Sequence, residues 1–62
     1  MNDPTSTPGP VRLMLVDDHP LVRDGLRVRL EAVPGLQVVA EAGDAAQALD
    51  AARRAAPDLV LM

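Results

Sequence analysis

The segment VRLMLVDDHPLVRDGLRVRLEAV (residues 11–33) decides the fold of this chain. Its first six residues, Val11–Val16, form an aliphatic run that stops at an acidic pair, which is typical of a strand buried on both faces. Pro20 then stands in the first turn of a helix, where a backbone N–H would have no intrahelical partner. Pro34-Gly35 ends this helix. The segment therefore predicts a strand, a short acidic loop and a helix over Pro20–Ala32.

One face of the predicted helix is apolar. Val22, Leu26, Leu30 and Val33 recur at helical spacing and form a stripe that would pack on a sheet. Arg29 projects into the middle of this stripe. Its side chain must therefore extend along its apolar stem to water, or the helix must be turned slightly about its axis.

The next residues repeat the pattern. Leu36–Ala42 reads as a second strand, and Asp44 is placed as the N-cap of an alanine-rich helix over Ala45–Ala56, with Gln47 completing a variant of the capping box. The residues expected to face the sheet are Ala45, Ala48, Leu49 and Ala52. Pro57 excludes a helical conformation from the residue before it and so ends this second helix.

Asp58–Met62 is a third apolar strand, so the order is β-α-β-α-β with short connections. This order predicts an α/β fold with a parallel sheet and right-handed crossovers. Met1–Pro10 contains three prolines and few apolar residues, and we expect it to be a flexible leader before a domain over residues 11–62.

Asp17 and Asp18 follow the first strand directly. In open parallel sheets the ligand site lies beyond the carboxyl ends of the strands. Two adjacent carboxylates repel each other, and a hard divalent cation such as Mg²⁺ would relieve that repulsion. The alternative is that Asp18 caps the following helix while Asp17 only solvates the strand end.

Composition excludes several classes of protein. The 62 residues include no cysteine and no aromatic residue other than one histidine, and the formal charge is −3. There is no disulfide framework, no signal peptide and no apolar run long enough to span a membrane, so we expect a cytoplasmic protein. The arginines are dispersed among acids with no aromatic side chain to stack on bases, and we expect this segment not to bind nucleic acid directly.

The whole of residues 11–62 resembles the receiver domain of two-component response regulators, in particular the NarL/FixJ type with a helix-turn-helix output domain. The most specific pieces are LVDDHPLVRDGL after the first strand, PGLQVVAEA around the second, and PDLVLM leading into the third. The resemblance implies a flavodoxin-like (CheY-like) fold whose strands stand in the order 2-1-3 in this part of the sheet.

In that family an acidic pair after the first strand helps to hold Mg²⁺, and it matches Asp17 and Asp18. The family's phosphoacceptor aspartate directly follows PDLVLM, whereas this sequence ends at Met62. Asp58 is no substitute, because it lies at the start of its strand, roughly 13 Å from the carboxyl end at about 3.3 Å per residue. We therefore expect a truncated receiver that cannot be phosphorylated, has no catalytic or cofactor-binding residue, and binds Mg²⁺ weakly or not at all.

His19, beside two carboxylates, could be a metal ligand or a phosphorelay residue. In the family, however, the His-Pro dipeptide opens the first helix and does no chemistry, and we adopt that interpretation. Four arginines on the two helices are most simply solvated helix faces, with partner docking a minor alternative: Arg23, Arg27, Arg53 and Arg54.

The resemblance also implies partners: a histidine kinase that supplies the phosphoryl group, and DNA bound through an output domain that these residues do not contain. From the strand itself we expect self-association through residues 58–62. Two alternatives are a stand-alone interaction or dimerisation fragment and a small Mg²⁺-dependent phosphotransfer enzyme with Asp17 as nucleophile. Such enzymes commonly show D-x-D-x-T, which DDHP does not fit, so we expect no enzymatic activity.

Overall fold

The computed structural model describes residues 9–62, so the predicted leader lies outside the described residues as far as Pro8. The elements are β1 (Val11–Val16), α1 (Pro20–Glu31), β2 (Leu36–Ala42), α2 (Ala45–Ala55) and β3 (Leu59–Leu61). The predicted alternation is confirmed. Each helix ends one residue earlier than expected, and β3 lacks the terminal residue at each end of the predicted strand.

The three strands form one parallel sheet in the order β2-β1-β3, as predicted. The pairing of β1 with β2 shifts by one residue between Leu13 and Met14, because Val39 is passed over, and it then runs on to place Val16 beside Ala42. With right-handed crossovers, this strand order requires α1 and α2 to lie on opposite faces of the sheet.

The core is centred on β1. Leu13, Met14 and Leu15 are each at most 2% exposed, and so is Ala42 at the end of β2. Successive residues of a strand point to opposite faces, so three consecutive buried residues show that β1 is covered on both faces. This confirms the interpretation of the first aliphatic run.

Helix α1 packs on β1 and β2 with a face that differs from the predicted stripe. Leu26 and Leu30 are half-buried as expected, but Val22 is 50% exposed and Val33 is 49% exposed. Arg29 is exposed. Of the two ways to accommodate that arginine, the helix has therefore taken the second: it is turned about its axis, and the charge stays in solvent.

The ends of α2 follow the sequence prediction. The Asp44 carboxylate accepts a hydrogen bond from the Gln47 backbone N–H at 2.8 Å, and the Gln47 side chain in turn accepts one from the Gly43 N–H at 2.8 Å. At the other end Ala56 has left the helix for a left-handed conformation with φ of 48°. The residue before Pro57 thus ends the helix, as expected.

The face that α2 turns to β2 was predicted only in part. Ala45 is exposed and Leu49 is 57% exposed, so these two residues do not face the sheet. The half-buried residues of the helix are Ala48, Ala51, Ala52 and Ala55. The helix rests on β2 through these small side chains, and this orientation leaves the larger leucine on its flank.

Candidate functional site

The backbone of Asp17 is held on both sides at the point where β1 ends. Its N–H donates to the Ala42 carbonyl of β2 at 3.0 Å, which extends the ladder by one residue. Its carbonyl accepts a hydrogen bond from Nη1 of Arg23 in α1, also at 3.0 Å. The carboxylate of Asp17 therefore projects from a peptide whose position is determined by a strand and a helix together.

A tight turn brings the next two side chains to the same place. The His19 N–H donates to Oδ1 of Asp17 at 2.8 Å, which is the bond that defines an Asx turn. Nδ1 of His19 lies 3.0 Å from Asp17 Oδ1 and 2.8 Å from Asp18 Oδ1. One donor atom from each of the three side chains lies within 4.8 Å of the other two.

The alternative in which Asp18 caps the first helix is wrong. The residue at the N-cap of α1 is His19, and within residues 9–62 no side chain forms a capping hydrogen bond to this helix. The Asp18 side chain is instead 77% exposed, and in the described part of the chain its contact at ion-pair distance is with Nδ1 of His19, at 2.8 Å.

The turn also sets the charge of Asp17. The backbone N–H of His19 lowers the pKa of the Asp17 carboxyl below its ordinary value, and the His19 side chain and the charge of Arg23 act in the same direction. A lowered carboxyl pKa stabilises the fold above its titration range, and this contribution is lost as pH falls through the folded-state pKa. Asp17 is therefore an anion at neutral pH.

An ion-pair cluster lies between α1 and β2, beside this turn. Nε of Arg23 is 3.3 Å from Oε1 of Glu41, and Nε of Arg27 is 3.4 Å from Oε2 of the same carboxylate. The two arginine side chains are only 25% and 35% exposed, so the expectation of solvated helix faces is wrong for both. Arg54, paired with Asp50 and 78% exposed, fits that expectation.

Glu41 was missed as a partner in the sequence analysis. Two features of the sequence could have indicated it. Glu41 is the single acid in the otherwise apolar VVAEA of the second strand, and the preceding helix carries Arg23 and Arg27 at i,i+4 spacing. An acid in a strand packed under a helix is partly removed from water, and a cation on that helix stabilises it.

Asp58 lies at the other end of the sheet. Its carboxylate accepts a hydrogen bond from the Arg12 N–H at 2.9 Å, and its own N–H donates to the Arg12 carbonyl at 2.7 Å. Arg12 is the second residue of β1, so Asp58 is at the amino end of the strands and away from Asp17 and Asp18, as the sequence predicted.

The fold and the acidic turn agree with the comparison of this sequence with known families. The sequence profile of the response regulator receiver domain matches residues 13–62. The chain belongs to the receiver family. The match begins inside β1 and includes the acidic turn, both helices and the third strand.

Its relatives include several whole regulators. The chain is 55% identical over 53 residues to the nitrate/nitrite response regulator protein NarP of Escherichia coli, with 86% of this chain and 25% of that protein covered. It is 42% identical over 52 residues to the transcriptional regulatory protein LiaR of Bacillus subtilis, covering 84% of the chain and 25% of the relative. The chain thus spans about a quarter of the length of these relatives. No solved structure matches it.

A receiver sequence also occurs in a relative named as an enzyme. The chain is 41% identical over 59 residues to protein-glutamate methylesterase/protein-glutamine glutaminase 5 of Anaeromyxobacter dehalogenans, covering 95% of this chain and 16% of that protein. The receiver family alone therefore does not determine what the rest of a protein does.

The donor set of the receiver's acidic turn suits a hard divalent cation. Asp17 and Asp18 offer carboxylate oxygens, which Mg²⁺ prefers, whereas the imidazole of His19 suits softer transition metals. The side chains of Asp18 and His19 are 77% and 72% exposed and can move without disturbing the core. The residues present therefore fit Mg²⁺ as two carboxylate ligands completed by other oxygens.

None of the helices within residues 9–62 combines the length and apolar character that a membrane span requires.

Proposed function

We propose that residues 11–62 form part of the receiver domain of a cytoplasmic two-component response regulator that controls transcription, with residues 1–10 as a leader. The receiver profile and the printed names of NarP and LiaR support this assignment. In such a regulator a histidine kinase is the phosphoryl donor, and DNA is bound by a separate output domain rather than by these residues.

Within that domain, Asp17 and Asp18 are the proposed Mg²⁺ ligands. The observation that carries this proposal is the position of both carboxylates at the carboxyl end of the central strand, held in one turn with their oxygens close together. There the two carboxylates would hold Mg²⁺, which would supply positive charge to offset the negative charge of a phosphoryl group during transfer. The part played by the chain is to keep Asp17 ionised and to hold its backbone against β2 and α1.

The register of β3 supports a further part of the proposal, that these 62 residues do not themselves accept a phosphoryl group. Leu15 pairs with Leu61, so the register continued by one step places Met62 beside Val16. In the receiver pattern the acceptor aspartate follows the methionine, which corresponds to the level of Asp17 in the sheet. Asp58 lies at the opposite end, bonded to Arg12.

Self-association through residues 58–62 is the second candidate function. The four residues of this segment that are apolar, Leu59–Met62, are between 40% and 90% exposed. A stand-alone interaction fragment would use this surface, and the two functions are compatible in one chain.

Acetyl phosphate with Mg²⁺ is expected to leave the 62-residue chain unmodified, because Asp17 and Asp18 act as metal ligands and not as acceptors. Intact-mass spectrometry checks this result, with a complete receiver domain treated in parallel as the positive control. An acid-labile gain of one phosphoryl group on Asp17 or Asp18 would contradict the proposal and favour the phosphotransfer-enzyme alternative.

A further inference from the structure

We propose that Arg23 is a positioning residue for the acidic turn, in addition to tying α1 to β2. The inference rests on the proposed role of Asp17 and Asp18 as ligands of a divalent cation. In this inference, Arg23 on α1 holds the peptide that follows Asp17. The orientation of that peptide determines the direction in which the Asp17 and Asp18 carboxylates project from the strand.

The contacts of Arg23 connect three parts of the fold. Nη1 of its guanidinium donates to the Asp17 carbonyl at 3.0 Å, while Nε lies 3.3 Å from Glu41 on β2. The side chain is 25% exposed, so these contacts are made largely out of water and are screened less than surface pairs. Rotation of the peptide between Asp17 and Asp18 would break the bond from Nη1.

Within residues 9–62, no backbone N–H donates to the Asp17 carbonyl. The hydrogen bond that this carbonyl accepts comes from the Arg23 guanidinium. The Asp17 N–H, in contrast, is held by Ala42 of β2. Arg23 therefore supplies the second of the two backbone restraints on Asp17. Without it, the peptide that follows Asp17 is held only by the Asx turn, in which the His19 N–H donates to the Asp17 carboxylate.

Gly43 leaves space for this arrangement. A Cβ atom at position 43 would lie 3.0 Å from Nη1 of Arg23 and 3.3 Å from Oε1 of Gln47. Both distances are shorter than ordinary van der Waals contact, so an alanine there requires the Arg23 guanidinium and the Gln47 amide to shift by a few tenths of an ångström. The shift of the guanidinium would strain its bond to the Asp17 carbonyl. The turn after β2 thus contributes to the position of the turn after β1.

Arg27 provides a matched comparison for Arg23. It pairs with the same Glu41 carboxylate, at 3.4 Å, and it is also half-buried on the same helix face. Its other partners are Asp24 and Glu31, and within residues 9–62 it forms no hydrogen bond or ion pair with Asp17. Loss of either arginine weakens the tie between α1 and β2, but only loss of Arg23 releases the acidic turn.

Substitution of either arginine by lysine keeps the positive charge but changes the hydrogen-bonding geometry of the side chain. The planar guanidinium of Arg23 uses two different nitrogens for Glu41 and for the Asp17 carbonyl. A lysine ammonium is a compact point charge and cannot span both partners in the same way. Arg23→Lys therefore keeps the positive charge near Glu41 while it removes the positioning bond.

The test compares Arg23→Lys, Arg27→Lys and Gly43→Ala with the unaltered 62-residue chain, in an osmolyte that favours the folded state. The probe is Mn²⁺, which shares the oxygen-ligand preference of Mg²⁺ and broadens nearby amide signals. Because supporting groups around a metal site typically contribute 10–100-fold to affinity, we expect Arg23→Lys to weaken Mn²⁺ binding at Asp17 and Asp18 about 10-fold. Gly43→Ala should act in the same direction, and Arg27→Lys should leave the affinity nearly unchanged.

A second readout needs no metal. In the metal-free chain, Arg23→Lys and Gly43→Ala should shift the amide signals of Asp18 and His19, whereas Arg27→Lys should not. Equal effects of the two lysine variants, or no effect of Arg23→Lys on either readout, would overturn the inference. If Arg23→Lys fails to fold, the Gly43→Ala variant decides by the same criteria.

If Asp17 and Asp18 do not bind a divalent cation, the results will differ from those that overturn the role of Arg23. In that case the unaltered chain itself would show no Mn²⁺ broadening at Asp17 and Asp18, while the metal-free shifts would still report whether Arg23 positions the turn.

Discussion

Replacement of Leu15 by alanine is expected to abolish folding of the 62-residue chain. Leu15 is 1% exposed and belongs to β1, the central strand that pairs with both β2 and β3. Truncation of a buried leucine to alanine typically costs about 2–5 kcal/mol through lost burial and the cavity that remains. A chain of this length has little stability to lose, because a domain near its size buries only roughly 60% of its unfolded surface.

Far-ultraviolet circular dichroism with urea titration, in an osmolyte that favours the folded state, measures this effect. Leu21→Ala is the matched control, because Leu21 is 89% exposed on α1 and the same change of residue removes no core contact. We expect Leu21→Ala to unfold like the unaltered chain. A Leu15→Ala variant that kept the spectrum and the urea midpoint of the unaltered chain would contradict the assignment of β1 as the core.

The second large effect is self-association through β3. This strand pairs with β1 along one edge, and its other edge has no partner strand in the part of the chain that the structure describes. The residues of this segment are apolar and exposed: Leu59 52%, Val60 43%, Leu61 40% and Met62 90%. An open apolar strand edge is a site at which a second chain can pair.

The low stability expected of a single chain also favours self-association. Apolar burial contributes roughly 25 cal/mol per Å², and ordering costs about 1.5 kcal/mol of conformational entropy per residue. For a scaffold this small, the two terms leave a net free energy of folding near zero. Arg29, which the sequence places in the middle of the apolar stripe of α1, lies in solvent and does not add to this deficit. We therefore expect the isolated chain to be at best marginally folded, and to gain stability when two copies pair.

Sedimentation velocity over a range of concentrations should show dimers or larger species beside disordered monomer. Leu61→Lys is expected to disperse them, because a charge opposes pairing at the edge. Val28→Lys places the same charge at a residue that is 59% exposed on α1, and it should leave the association unchanged. A monodisperse monomer with a sharp thermal transition and strong amide protection in β3 would show that the energetic argument is wrong.

The order of the elements, and their bounds to within one residue, were predictable from local signals. The aliphatic run Val11–Val16 and the proline after Ala56 each determine backbone conformation with little help from the rest of the fold. Strand order followed from the resemblance to receivers, and handedness from the general rule for crossovers. The position of Asp17 and Asp18 at the carboxyl end of β1 followed from the same topology.

The faces of the helices were not predictable with the same accuracy. Sequence spacing shows which residues share a face, but the rotation of a helix about its axis depends on what it packs against. Leu49 therefore lies on the flank of α2, and Arg23 and Arg27 lie over Glu41 where solvated arginines had been expected. The contacts of His19 with both carboxylates also depend on the turn geometry, which the sequence alone does not show.

Asp17 and Asp18 are the proposed divalent-cation site of this receiver domain. The most direct test is Mg²⁺ titration of the 62-residue chain in an osmolyte that favours the folded state, followed by amide chemical shifts. We predict weak, saturable shifts confined to residues 17–19 and their neighbours, because at most two carboxylates of this chain hold the ion. Asp17→Asn and Asp18→Asn should each abolish these shifts, while Asp58→Asn, at the opposite end of the sheet, should leave them unchanged. Shifts that persist in both asparagine variants, tight binding, or shifts that depend on Asp58 would contradict the claim.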